Sequence, residues 1–128
     1  MSISLTIEGG PILVANLAAI SQKAAPAAGR ALVAEAEAIM TRSKQSFVPV
    51  DTGVLRASGH VSMPDVSGDD VSVTLSYGGP ASDYAVVQHE RLDYKHSVGG
   101  PKYLERPLLE AASGMGERIA KKIREAFS

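Results

Sequence analysis

Residues 48–58, VPVDTGVLRAS, separate a long helical pattern from a run of strand-like alternation. Pro49 disfavours helical backbone in the residue before it and has no N–H to donate, so the preceding helix is expected to end there. Asp51 and Thr52 can bond nearby backbone N–H groups through their side chains, and Gly53 can adopt a positive φ without strain. The stretch therefore predicts a turn at a corner of the domain, which by itself indicates no function.

Before this turn, the sequence predicts the main helix of the protein, from near Pro26 to Ser46 or Phe47. Proline fits the first turn of a helix and would break its interior. Small residues dominate one side of this helix. They would allow a sheet of the same chain, or a helix of a neighbouring copy, to approach its backbone closely. The core stripe is expected to contain Ala28, Leu32, Glu35 or Ala36, Ile39 and Ser43. The charged residues expected to face solvent are Arg30, Glu37, Arg42 and Lys44.

The amino-terminal residues predict a strand followed by a second helix. From Ser2 to Glu8, apolar and polar residues alternate, as they do in a half-buried strand. The sequence Gly-Gly-Pro at positions 9–11 ends this strand. A helix is then expected from Pro11 to about Gln22, because three apolar residues recur at helical spacing. These residues are Leu13, Leu17 and Ile20.

Two alternating stretches follow the central turn. Residues alternate from Ala57 to Met63, and again from Val71 to Tyr77, which is the clearest strand in the chain. Together they predict an antiparallel hairpin. The polar residues from Pro64 to Asp70, including Gly68, are expected to form its turn.

The carboxy-terminal part is expected to contain a loop and a helix. Residues 83–90 are too few for their periodicity to distinguish a strand from a helical turn. Residues 91–100 are polar and aperiodic, which predicts an exposed loop. A final helix should begin close to Pro107 and run to the end of the chain. Its apolar stripe would contain Leu104, Leu108, Ala111 or Ala112, Met115, Ile119, Ile123 and Phe127.

With 128 residues, the chain is expected to form one domain, residues 1–128. Its pattern predicts an α+β fold, in which long helices cover one face of a small antiparallel or mixed sheet of roughly three to four strands. Because cysteine is absent, disulfides and thiolate metal sites are excluded. The net charge of −1 argues against nonspecific nucleic-acid binding. The longest apolar run, at 11–20, is too short to span a membrane and has no basic segment before it, so the protein is expected in the cytoplasm when made.

No catalytic, cofactor-binding or metal site is expected from the residue patterns. His89-Glu90 and His96 superficially resemble a zinc-protease motif, but that chemistry needs two histidines at i and i+4 on one helical face. The acidic residues lack the alternate spacing of a calcium loop. The glycine pairs do not precede a lysine at the spacing of a phosphate-binding loop. The alternative function is a small metal-dependent enzyme or metal-binding domain, which would use His60, His89, Glu90 and His96.

The order of the segments resembles that of a family of phage proteins. A long helix ends in P-x-D-T-G-x-L-R-x-S, a β-hairpin follows, and residues 84–90 (YAVVQHE) and 101–107 (PKYLERP) then lead into the last helix. From about Ala27 to Phe127, this order is similar to that of the small tail-component proteins of long-tailed bacteriophages, the neck or tail-completion proteins that join the DNA-filled head to the tail. The resemblance implies a structural, ring-forming protein without catalytic residues or cofactors.

The resemblance also implies partners and a location. Copies would form a hexameric or dodecameric ring between head-completion or connector proteins and tail-tube proteins, and genomic DNA would pass through the lumen without being read. The protein would assemble in the host bacterial cytoplasm and reside in the virion neck, away from any membrane. Candidate contact patches are the Ala-rich face of the main helix, the hairpin edge and the loop at 91–100. The expected interface residues are Arg91, Asp93, Tyr94, Lys95, His96, Asp51 and Arg56.

Overall fold

The protein has an α+β fold in which helices cover an antiparallel sheet. A computed structural model describes residues 1–8, 12–47, 56–77 and 104–127. Within these ranges the strands are β1 (Ser2–Glu8), β2 (Ile12–Ala18), β3 (His60–Val61), β4 (Asp65–Ser67) and β5 (Asp70–Ser76). The helices are α1 (Ala25–Arg42), which continues as a π-helical segment (Ser43–Phe47), α2 (Glu105–Ala112) and α3 (Met115–Ala126). No helix in the described ranges is long and apolar enough to cross a membrane.

The sheet is built around β2 and β5, which lie side by side at its centre. The strand order is β1-β2-β5-β3, and β4 pairs with β5 as well. All pairs are antiparallel, and the register places Leu13 opposite Leu75 and Leu17 opposite Val71. Because strand side chains alternate between faces, this register gathers the apolar residues of the central strands on one face.

The expected helix from Pro11 to about Gln22 is wrong, since Ile12–Ala18 is a strand. Leu13 and Leu17 are four residues apart. Two residues at this spacing lie on one face of a helix, and they also lie on one face of a strand. Pairing with β1 on one side and β5 on the other stabilises the extended form. Ala19, with a φ of 62°, follows the end of the strand in a left-handed conformation that is uncommon for a residue with a Cβ.

The core lies between the apolar face of the sheet and the helices. The residues predicted for the α1 stripe are all buried, from Ala28 to Ser43. Val71, Val73, Leu75 and Tyr77 are buried as predicted, in the alternating pattern of β5. Full burial of a large aliphatic side chain contributes about 1.5–3 kcal/mol. The largest fully buried side chains come from β2, α1, β5 and residues 104–119, so every layer of the fold contributes to the core. The buried apolar residues are Leu13, Ala15, Leu17, Ile20, Ala25, Ala28, Ala31, Leu32, Ala36, Ile39, Met40, Val71, Val73, Leu75, Tyr77, Leu104, Leu108, Met115 and Ile119.

The small residues of α1 allow close approach within the same chain. A Cβ on Gly29 would lie 3.1 Å from the Cβ of Pro64, so the absence of a side chain here lets Pro64, just before β4, pack closely on α1. Of the charged residues expected in solvent, Arg30 and Glu37 are exposed. Arg42 is half-exposed and forms an ion pair with Glu110 at 3.0 Å. The expectation is wrong for Lys44, which is half-buried.

The predicted hairpin is present, but its bounds differ. Residues 56 and 57 are helical, and β3 contains two residues where a strand from Ala57 to Met63 was expected. Part of the expected turn is strand β4, so the turn itself contains only Gly68, with a φ of 61°, and Asp69. The tripeptide Asp-Val-Ser occurs on both sides of this turn, at 65–67 and 70–72, and each copy pairs with the other.

The final helix is broken where the sequence predicts a continuous one. Ser113 is extended and Gly114 has a φ of 79°, so α2 and α3 are separate helices. Pro107 lies in the first turn of α2, as predicted. The apolar stripe is buried at Leu104, Leu108, Met115 and Ile119 but ends before Phe127, which is 51% exposed.

Candidate functional site

Most of the predicted interface lies outside the described residues. Asp51 and the residues at 91–96 fall there, as do His89 and Glu90, so the structure places only Arg56 and His60. His60 is exposed on β3. Among residues 1–8, 12–47, 56–77 and 104–127, no three His, Cys, Asp or Glu side chains are close enough to hold a metal ion.

Arg56 belongs to a corner of the domain that we call the Tyr77 corner, formed by the π-helical segment, residues 56–59 and the end of β5. The Ser43 hydroxyl lies 2.8 Å from the Tyr77 hydroxyl, and both side chains are buried. Burial raises the pKa of Tyr77 to about 12, while the hydrogen bond to Ser43 and the positive charge of Arg56 act in the opposite direction. The phenol is therefore neutral at physiological pH.

Gly59 brings the backbone of residues 56–59 against α1. A Cβ on Gly59 would lie 2.6 Å from Lys44 Cε and 2.9 Å from both Met40 Sδ and Tyr77 Cε1. The Lys44 ammonium group donates a hydrogen bond to the Gly59 carbonyl oxygen at 3.1 Å. This contact explains why Lys44 is half-buried rather than solvated: its charge is satisfied by a backbone carbonyl.

Arg56 is half-buried in the Tyr77 corner. Its Nε is inaccessible to solvent and has no hydrogen-bond partner among the described residues. A buried donor without an acceptor is costly, and more so on a permanent cation. Because solvent cannot reach this nitrogen, it is a cost to the fold of the single copy rather than a donor offered to a partner at the surface.

A second polar cluster joins α1, α2 and α3, and we call it the Arg118 clasp. Arg118 donates from Nη2 and Nε to the two carboxylate oxygens of Glu35, at 2.7 to 3.2 Å. It also donates to the carbonyl oxygens of Ala111 at 2.6 Å and Ser113 at 3.0 Å, where α2 ends. Hydrogen bonding to Glu35 raises the pKa of Arg118 above its ordinary value. Sequence analysis missed this cluster, although a glutamate in a predicted core stripe indicates a buried carboxylate that needs a cation.

The described residues form two regions with exposed apolar side chains. The first, the Met1 groove, has a volume of about 400 Å³ and is lined by Met1, Ala19, Ile20, Ser21, Ala24, Ala120, Ile123 and Arg124. Near it, the ammonium group of Lys23 lies 5.6 Å from the centre of the Phe127 ring. The second, the Met63 corner, consists of residues 63–66 at the β3–β4 edge, where Met63 is 85% and Val66 53% exposed.

Comparisons with protein-family models, with curated proteins and with solved structures found no match to this chain.

Proposed function

We propose that this protein is a non-enzymatic structural protein of the neck of a long-tailed bacteriophage, in which copies form a ring that completes the tail or joins it to the head. The observation that carries the proposal is the order of segments along the chain. Helix α1 leads into P-x-D-T-G-x-L-R-x-S, strands β3 to β5 follow, and α2 begins within the PKYLERP segment. A protein with this role acts through binding surfaces rather than through a reactive centre.

The packing of α1 limits which surfaces are available for contacts between copies. Its small residues Ala28, Ala31 and Ala36 are buried in the core of their own chain, so the Ala-rich face is not available to a neighbour. Contacts would then use the edges of the sheet and the outer sides of α2 and α3. A cyclic ring needs two different complementary surfaces on each copy, and the two edges of this sheet differ in length and in composition.

Arg56 supports the Tyr77 corner as part of the binding surface. It is one of the predicted interface residues and lies half-buried at this corner, and the permanent positive charge of its guanidinium group would complement an acidic surface of another neck protein. Replacing Arg56 with alanine should weaken assembly into particles while leaving the fold intact. The control is Arg30→Ala, because Arg30 is an exposed cation on the solvent side of α1.

The deciding experiment is deletion of the gene in a phage that encodes this chain. DNA-filled heads and free tails should accumulate separately, and supplying the protein should restore joining. Mass spectrometry of purified wild-type particles should detect the chain in a small, fixed number of copies per particle. Normal yields of infectious particles from the deletion would contradict the proposed function.

A second experiment concerns residues 91–100. The polar, aperiodic sequence of this segment predicts an exposed loop, and loop length affects stability only weakly. Shortening the segment should therefore preserve the thermal unfolding transition and yet prevent heads and tails from joining. If the shortened protein supports normal particle yields, these residues are not an assembly element.

A further inference from the structure

Strand β1 forms one edge of the sheet, and its outer side has no partner strand among residues 1–8, 12–47, 56–77 and 104–127. An unpaired edge presents a row of backbone N–H and carbonyl groups that can accept another strand, so natural proteins usually shorten, bend or charge their edges. The opposite edge follows this rule, since β3 contains two residues, β4 contains three, and Pro64 lies between them. Strand β1, with seven residues, does not follow it.

The sequence of β1 has none of the usual protections of an edge. Residues 2–7, SISLTI, contain no charged residue, no proline and no glycine, and the only charge in the strand is Glu8 at its end. The pairing with β2 runs through the whole strand without a bulge. Ile3 and Leu5 are only half-buried, whereas the residues paired with them in β2 are buried. A further strand would therefore find both backbone partners and apolar surface at this edge.

The residue types of β1 are arranged symmetrically about Leu5. Ser4 and Thr6 flank it, and Ile3 and Ile7 follow on the two sides. In an antiparallel pair of β1 strands centred on Leu5, Ile3 of one copy is opposite Ile7 of the other, and Ser4 is opposite Thr6. Residues directly opposite each other in an antiparallel pair lie on the same face of the sheet. The edge is therefore complementary to a second copy of itself.

Charge and the position of α3 favour this antiparallel arrangement. A parallel pair in register would place Glu8 beside Glu8 of the second copy, and like charges directly opposite are destabilising. The antiparallel pair separates them to opposite ends. Helix α3 lies toward the beginning of β1, because a Cβ on Gly116 would lie 3.5 Å from Ile3 Cδ1 and later residues of α3 line the Met1 groove. A two-fold axis at Leu5, perpendicular to the sheet, thus keeps the two α3 helices apart.

We infer that two copies of this protein pair through their β1 strands, antiparallel and centred on Leu5, so that their sheets form one continuous sheet. The contact is isologous, because both copies use the same edge. Backbone hydrogen bonds supply the affinity, as in other cases of strand addition, and the alternating side chains fix the register. The inference goes beyond the proposed function and does not rest on it. In the proposed assembly this contact joins two stacked rings, and the β3–β4 edge and the outer sides of α2 and α3 remain for contacts within each ring.

Disulfide formation between positions 4 and 6 tests the register, since the natural chain has no cysteine. Ser4 and Thr6 are exposed, so cysteine at either position should preserve the fold. Opposite residues have Cβ atoms about 4.5–5.5 Å apart, whereas identical positions of the two copies lie on a diagonal of roughly 7–8 Å. Under mild oxidation, an equal mixture of Ser4→Cys and Thr6→Cys proteins should therefore form cross-linked dimers at least about tenfold faster than either protein alone.

The matched control mixes Thr6→Cys with Ser67→Cys, because Ser67 is equally exposed but belongs to β4 at the other side of the sheet. This mixture should cross-link no faster than Thr6→Cys alone. If the Ser4→Cys and Thr6→Cys mixture is no faster than the control mixture, the inference is wrong.

Charged variants test the contact without oxidation. A protein with Ser4→Lys and Thr6→Lys would bring lysines opposite lysines, and its dimer dissociation constant should be at least about tenfold higher than that of the wild type. Mixing it with a protein carrying Ser4→Glu and Thr6→Glu should restore pairing, because opposite charges then face each other. Sedimentation velocity measures association, and circular dichroism verifies the fold of each variant. Association of the lysine variant as tight as that of the wild type, or wild-type protein that stays a single copy at high concentration, would overturn the inference.

Discussion

The guanidinium group of Arg118 binds both carboxylate oxygens of Glu35, with the shortest distance 2.7 Å from Nη2 to Oε1. The Glu35 side chain is 11% exposed and that of Arg118 is 45% exposed. The same guanidinium also binds the last carbonyl oxygens of α2, so one side chain fixes the positions of three helices.

Arg118→Ala is expected to lower the free energy of unfolding by about 2–3 kcal/mol, because it leaves the Glu35 carboxylate buried without this partner. The expected value lies below the roughly 3–5 kcal/mol typical of fully buried pairs, because Arg118 is half-exposed. Urea unfolding measures the change. The matched control is Arg42→Ala, whose ion pair with Glu110 is exposed and should contribute less than about 1 kcal/mol. Similar losses in both variants would show that the clasp stabilises no more than a surface pair.

Tyr77→Phe is expected to cost about 1–2 kcal/mol of stability, because the fully buried Ser43 hydroxyl loses this hydrogen-bond partner. Ser43→Ala combined with Tyr77→Phe should cost less than the sum of the two single changes, since neither hydroxyl then remains. Thermal or urea unfolding of all four proteins gives the coupling energy. Additive effects would mean that the two hydroxyls do not stabilise one another.

Stability should fall with rising pH above about pH 10 because of Tyr77. Its pKa is about 12 in the folded protein and 10.0 in an unperturbed tyrosine. The unfolded chain therefore loses this proton first, and between these pH values the folded state binds more protons, which lowers the free energy of unfolding as pH rises. The slope from one group is about 1.4 kcal/mol per pH unit. Tyr77→Phe should make the alkaline decline shallower, and an unchanged slope would contradict the assignment.

Gly59→Ala is expected to destabilise the protein by about 1–3 kcal/mol, because the added Cβ would overlap Tyr77 and Met40 as well as the flexible Lys44 chain. Gly116→Ala is the control. Its Cβ would lie 3.5 Å from Ile3 Cδ1, an ordinary contact, and alanine favours the helix by roughly 0.5–1 kcal/mol. Differential scanning calorimetry should separate the two variants, and equal melting temperatures would contradict the close packing at Gly59.

The elements that could be predicted are those whose buried residues recur with the period of a helix or with that of a strand, but not with both. The α1 stripe from Ala28 to Ser43 has only the helical spacing, and Val71 to Tyr77 has only the alternation of a strand. Leu13 and Leu17 satisfy both periods, and what decides between them is pairing with β5, a partner far away in the sequence. Local pattern alone could not supply that information.

The break between α2 and α3 is a different case. The apolar stripe continues across Gly114, so periodicity predicts one helix, whereas the observed bend depends on the positive φ of Gly114 and on Arg118. At the candidate site, Arg56 was singled out from its motif, but the burial of its Nε is a property of tertiary packing that the motif does not encode. The other predicted interface residues stay predictions, since they lie outside the described ranges.

Strand β2 pairs with β1, which is close to it in the sequence, and with β5, which is far from it in the sequence. This arrangement affects the folding kinetics. The β1–β2 and β4–β5 hairpins join residues close in sequence and can form within microseconds. The β2–β5 seam, in contrast, requires closure of the long loop between Leu17 and Val71, which contains the whole of α1. Since long-range pairing bears the entropic cost of loop closure, formation of this seam should limit the rate of folding. Until it forms, both hairpins present unpaired edges, and a newly made chain is then most exposed to misassembly with other copies.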